Sequence, residues 1–252
     1  MVLIATLSAC QFLMEVREAP EEVSYGGTIY DGVPTGDADV VLTEGTVDFM
    51  VPTVDLDRER QSLMEEGVLW EATQPYSSSP GYWQVTLPVD TEVAVRLETP
   101  SSYPSVFTGQ SPSWSGYWFA GVLFTWDRDY TAELLGGLGE QLGVTVADLD
   151  DGERVHLWGV LRDDDEAEKL EGRKITVIDG DGVEASVYPF ELTEDGFLSQ
   201  NYDAPVHYFY AFNLAPGDIQ LVLEGSSGDT VTEHYPTRGG DMIGAWWLGV
   251  PE

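Results

Sequence analysis

Several stretches of this chain, most cleanly 81–88, 89–97 and 219–225, alternate apolar and polar residues with a period of two, the pattern of half-buried β-strands. In the first half the alternation, with its β-branched and aromatic enrichment, predicts strands at 28–30, 38–42, 46–51, 81–88 and 89–97, then a mostly apolar strand at 118–126. Val93, Val95 and Leu97 share one face of the fifth of these. Asp31-Gly32 and the Gly/Pro stretch after it mark turns, and the charged interval 55–66 holds enough apolar residues for a helical turn or two. The second half repeats this texture, with strands expected at 155–161, 172–178, 185–190, 208–214, 219–225 and 245–250.

Between the halves the period lengthens. Leu134, Leu135, Leu138 and Leu142 fall on one helical face, with Asp129 or Thr131 as N-cap and Gly143 as the stop. Glycines inside this stretch weaken a helix by up to about 1 kcal/mol each. The predicted fold is therefore all-β: two tandem Ig-like or transthyretin-like β-sandwiches, 23–128 and 153–252, joined by a short helical connector at 129–152. An acidic tether at 10–22 precedes them.

The turn chemistry carries a resemblance. Residues 27–40, a strand leading through a Gly/Pro loop into a small-residue, Ala-x-Val strand, resemble the opening of carboxypeptidase-regulatory-like, transthyretin-like domains. Residues 80–88 resemble the third strand of that family, and 159–163, 172–177 and 212–221 follow the same scheme in the second half. The resemblance implies sandwich modules that bind or space rather than catalyse, although fold alone does not decide function.

The first ten residues change the picture from fold to location. Cys10 is the sole cysteine, and Leu7-Ser8-Ala9-Cys10 closes a short apolar run. A lone cysteine is most often a small buried hydrophobe. At this place it resembles instead the lipobox of bacterial lipoproteins, with 1–9 as signal peptide, although no Lys or Arg precedes it. The resemblance implies cleavage before Cys10, acylation of its thiol, and a membrane anchor of several acyl chains. Gln11 resembles the sorting signal for the outer membrane of Gram-negative bacteria. A single cysteine also rules out a disulfide within one chain.

Composition excludes some partners. With 42% hydrophobic and 12% aromatic residues the chain can fill a core. Its 45 acidic residues against 11 basic ones give a net charge of −34, which repels nucleic acid. Such charge speaks first to solubility, as on proteins of saline habitats, and second to divalent cations.

Three sets of residues are candidates for chemistry. Asp179, Asp181 and Glu184, in Asp-Gly-Asp-Gly-Val-Glu, resemble part of a calcium loop, and calcium is the only cofactor the sequence suggests; ordinary solvated turns have the same composition. Trp114, Tyr117 and Trp118, with Tyr103 and Phe107 nearby, crowd a Ser/Pro/Gly-rich stretch where exposed rings would stack on sugars or anchor a protein. Trp83, Trp126, Trp158 and Trp246 are assigned to the core. His156, His207 and His234 stand at no zinc spacing, and there is no Gly-x-Ser-x-Gly elbow. The expectation is a non-enzymatic, lipid-anchored outer-membrane protein that binds an unknown protein or glycan, or serves as structure. The alternatives are a carbohydrate-binding module and a calcium-stiffened spacer.

Overall fold

The computed structural model describes residues 22–30, 46–50, 82–88, 93–110, 120–162, 174–192, 198–200, 208–225 and 228–248. Cys10 with residues 1–21, the strand expected at 38–42, the turns at 55–66, and Trp114, Tyr117 and Trp118 lie outside them.

The first half contributes β1 (Glu22–Tyr30), β2 (Thr46–Met50), β3 (Tyr82–Pro88), β4 (Val93–Glu98), β5 (Ser102–Tyr103), β6 (Ser105–Gln110), β7 (Ala120–Phe124) and β8 (Trp126–Asp127). Helix α1 (Arg128–Leu142) follows. The second half contributes β9 (Val155–Arg162), β10 (Lys174–Ile178), β11 (Glu184–Ala185), β12 (Val187–Leu192) and β13 (Leu198–Gln200). It ends with β14 (Tyr208–Leu214), β15 (Asp218–Glu224), β16 (Thr230–Pro236) and β17 (Met242–Leu248). The protein is mostly β, with α1 as its one α-helix among the described residues.

An eight-stranded sheet runs β13-β12-β14-β9-β17-β6-β4-β2. It crosses the boundary expected at 129–152: β17 pairs in parallel with β9 on one side and with β6 on the other. The two halves thus share one ladder instead of meeting only through a connector. A four-stranded sheet, β11-β10-β15-β16, and a three-stranded one, β3-β1-β7, complete the architecture with the short pair β5-β8.

Period-two alternation sends the central strands' side chains to opposite faces. On one face Val155, Leu157 and Leu161 of β9, Phe209 and Ala211 of β14, and Ile243 and Ala245 of β17 pack against Val177, Ile219, Leu221, Leu223 and Tyr235 of the second sheet. On the other, Trp158, Tyr210, Phe212 and Met242 pack against Leu135 and Leu138 of α1, with Tyr103, Trp126 and Leu149. The strands at the centre are buried on both faces, the environment parallel pairing needs. Gly159 is required there: a Cβ would fall 2.0 Å from the Phe209 ring, its cross-strand neighbour.

The first face also holds a buried ion pair. Asp241, fully buried just before β17, accepts from Arg96 Nη2 of β4 at 2.9 Å and from the Arg238 N–H at 2.7 Å. Arg96 also pairs with Glu98. Burial pushes the Asp241 carboxyl above its ordinary pKa even against the adjacent Arg96 guanidinium.

Most expected strands are present, and Trp126 and Trp158 are core residues as expected. The side chains of Trp83 and Trp246 lie outside the described residues. Four strands add to the expectation, β5, β6, β13 and β16, of which β5 and β13 are only two and three residues long. β6 falls in the Ser/Pro/Gly-rich stretch, where the polar composition hid a strand that pairs on both sides. β16 reads Thr-Val-Thr-Glu-His-Tyr-Pro, whose apolar signal is thin because residues 230–232 are exposed.

Candidate functional site

The described residues enclose a groove of about 550 Å³ between α1 and the segment that follows it. One wall is helical: Ala132, Leu135, Gly136, Gly139 and Glu140. The other is the run from Gly143 to Asp150, with Tyr103 beside it.

The sequence sets both ends of the helix. Asp127, rather than the expected Asp129 or Thr131, is the N-cap: its carboxylate accepts from the Tyr130 N–H at 2.9 Å. A two-residue strand ends there, so the cap is read from the strand end and not from the leucine spacing. Gly143 is the stop, at φ 67°, and the Val144 N–H donates to the Gly139 carbonyl at 3.0 Å. The chain then doubles back so tightly that a Cβ on Gly139 would lie 2.9 Å from the Val144 carbonyl oxygen. At Gly136, by contrast, a Cβ would meet nothing within 4 Å, and this opening is part of the groove.

The far wall is fastened by a histidine. His156, fully buried on β9, donates from Nε2 to the Ala147 carbonyl at 2.9 Å and accepts at Nδ1 from the Asn213 N–H at 3.0 Å. Those partners require the neutral ring, and burial holds its pKa below the ordinary value. Asn213 sits in a β-bulge, where Phe212 and Asn213 together oppose His156, and it adopts φ 60°. From there its amide donates to the Thr145 carbonyl at 2.8 Å and accepts from the Ala147 N–H at 2.8 Å. Two side chains thus fix residues 145–147 against the central sheet.

The rim is acidic. Glu140, Asp148 and Asp150 line the groove. Glu140 stands in the last turn of α1, which has no basic residue and where the helix dipole is already negative. Burial raises the Tyr103 phenol's pKa, and the Asp150 and Asp148 carboxylates raise it further while Arg128 opposes them. The Arg128 guanidinium lies 4.8 Å from the centre of the Tyr103 ring and pairs with Asp150.

Beneath α1 the core is unusually polar. The indole N–H of Trp126 and the hydroxyls of Thr131, Thr99 and Ser102 are buried without a hydrogen-bond partner among the described residues, whereas the Tyr210 hydroxyl faces the Trp158 indole. Trp126 and Trp158 meet edge to face at 5.3 Å, and burial drives the Tyr210 phenol far above its ordinary pKa.

The calcium candidates are not gathered into a donor set. Asp179 Oδ1 accepts from the N–H groups of Asp181 at 3.1 Å and Val183 at 2.9 Å, and Oδ2 accepts from Ala215 at 3.3 Å. The carboxylate thus ties a turn together and docks it on the β14–β15 turn. Asp181 and Glu184 are exposed on that turn and on β11. No group of three or more His, Cys, Asp or Glu residues suited to a metal occurs among the described residues. Of the loop aromatics within the described residues, Tyr103 is buried in the groove region and Phe107 is half-buried on β6. Among the described residues no helix is long and apolar enough to cross a membrane. The sequence singles out neither Asp148 nor Asp150, because their convergence with Glu140 and Tyr103 depends on the Gly143 reversal.

No protein-family model matches the chain, and no curated protein matches it in sequence. Among solved structures, the minor pilin GBS52 of the Gram-positive pathogen Streptococcus agalactiae aligns over 91% of this chain and 98% of its own. The identity is 10% and the TM-score 0.19.

Proposed function

We propose that this protein is a lipid-anchored, non-catalytic binding module, held at the outer membrane through Cys10 and recognising its partner through the groove of α1. The groove carries the binding half of this reading: it is a preformed cleft of about 550 Å³ with an apolar floor and an acidic rim, within the size range of ligand sites. The lipobox resemblance at Leu7 to Cys10 supports the anchoring half. The finer assignment of each half as a transthyretin-like sandwich belongs to the same proposal, with the two sharing the central sheet.

Anchoring is tested by expressing the full chain behind a complete export signal in a Gram-negative host, as wild type and as Cys10→Ala. The wild type is expected to pellet with outer membranes and carry an acyl mass increment that the variant lacks. Two soluble, unmodified proteins would remove the anchor and leave only the groove.

A further inference from the structure

We propose that the groove between α1 and residues 144–150 docks an arginine-bearing peptide segment of a partner protein. This rests on the binding reading above and names the chemistry of the partner. The floor is apolar, from Leu135, Val144, Val146 and Leu149, and it suits an aliphatic side chain. Glu140, Asp148 and Asp150 stand around it, and Gly143 brings the carbonyl end of α1 to the same place. Carboxylates and a helix C-terminus act in one direction, favouring a cation. The net charge of −34 steers cations towards the molecule and turns anions away.

The chain itself shows how a guanidinium binds here. Arg128 lies over the Tyr103 ring and pairs with Asp150, so ring face and carboxylate already work together on one planar cation. That pairing serves the Asp150 end, whereas the last turn of α1 carries Glu140 with no basic residue. A second guanidinium between Glu140 and Asp148 would extend the same arrangement along the groove. Arginine suits it better than lysine, because its fork matches carboxylates in pairs and it sheds water more readily.

Any acidic protein attracts basic peptides, so the test must separate the groove from diffuse charge. Gly136 and Gly137 allow this: a Cβ at either meets nothing within 4 Å, but only Gly136 lines the groove. Gly136→Phe fills the groove without altering charge, and Gly137→Phe adds the same ring outside it. The full chain, carrying Cys10→Ala for solubility, is titrated with a fluorescein-labelled hexapeptide alternating leucine and arginine at about 0.15 M salt, where long-range attraction is screened. Thermal melts confirm that each variant folds.

Gly136→Phe is expected to weaken binding roughly tenfold or more, Gly137→Phe to leave it unchanged, and citrulline in place of arginine to abolish most of it. Glu140→Gln, on an exposed side chain, is expected to weaken it several-fold. Equal affinities for the two phenylalanine variants, or for the citrulline peptide, would overturn the proposal. Because the titration does not use the lipid, failure of docking and failure of anchoring are read separately.

Discussion

The two faces of the central sheet differ in how their polar groups are treated. Towards the second sheet the core is aliphatic, and even its charges are matched: Asp241 accepts from Arg96 and from the Arg238 N–H. Tyr235, equally buried, donates its hydroxyl to Glu233. Towards α1 the core is aromatic, and Trp126 and Thr131 each bury a polar atom without a partner among the described residues. Each such atom costs about 1–3 kcal/mol relative to a satisfied one. The first face secures the fold. The second gives up stability beside the groove, where strained and under-satisfied packing tends to gather.

The largest effect should come from the matched face. Asp241→Ala leaves Arg96 buried with its main partner gone and is expected to cost about 3–5 kcal/mol in urea unfolding. Replacing both with apolar residues, Arg96→Met with Asp241→Leu, should recover most of that loss. A double variant no better than Asp241→Ala would show that the pair is not the source of the cost.

A smaller contrast comes from two buried hydroxyls. Tyr235→Phe removes a made hydrogen bond and should cost about 0.5–1.5 kcal/mol. Thr131→Val removes a buried hydroxyl that has no partner among the described residues and should be neutral or stabilising, by up to about 1 kcal/mol. Equal losses at both sites would erase the difference between the faces.

The smallest effect is on pH. His156 has a folded-state pKa below its unfolded value, so the unfolded chain takes up the proton first as pH falls. Its contribution to stability is complete above about pH 6.5 and declines below it towards the folded pKa. Unfolding free energies at pH 7.5 and pH 5.5 should fall less in His156→Gln than in wild type. An unchanged difference would place the pH dependence elsewhere.

Much of the fold was legible because burial writes a period into the sequence. The strand at 219–225 and the leucine face of α1 show it, whereas the strands at 155–161 and 208–214, buried on both faces, read as near-continuous apolar runs. What the sequence hid depends on partners distant along the chain. Arg96 reads as a solvated residue between Val95 and Leu97 until β17 brings Asp241 beside it. The shared sheet was hidden for the same reason, since parallel pairing of β6 with β17 leaves no turn to announce it. At the site, Gly143 predicted where the helix stops. The convergence of Glu140, Asp148 and Tyr103 follows from a reversal fixed by His156 and Asn213, and Asn213 lies far beyond it in sequence.

Native-state hydrogen exchange tests the central claim most directly, because it resolves the stability of the two faces within one molecule. Amides of α1 and residues 144–150 are expected to exchange through partial openings of lower free energy than those of β9, β14 and β15. If all of them exchanged at a single free energy equal to that of global unfolding, the faces would be equally stable. The account of a secure sandwich face and a yielding helix face would then be wrong.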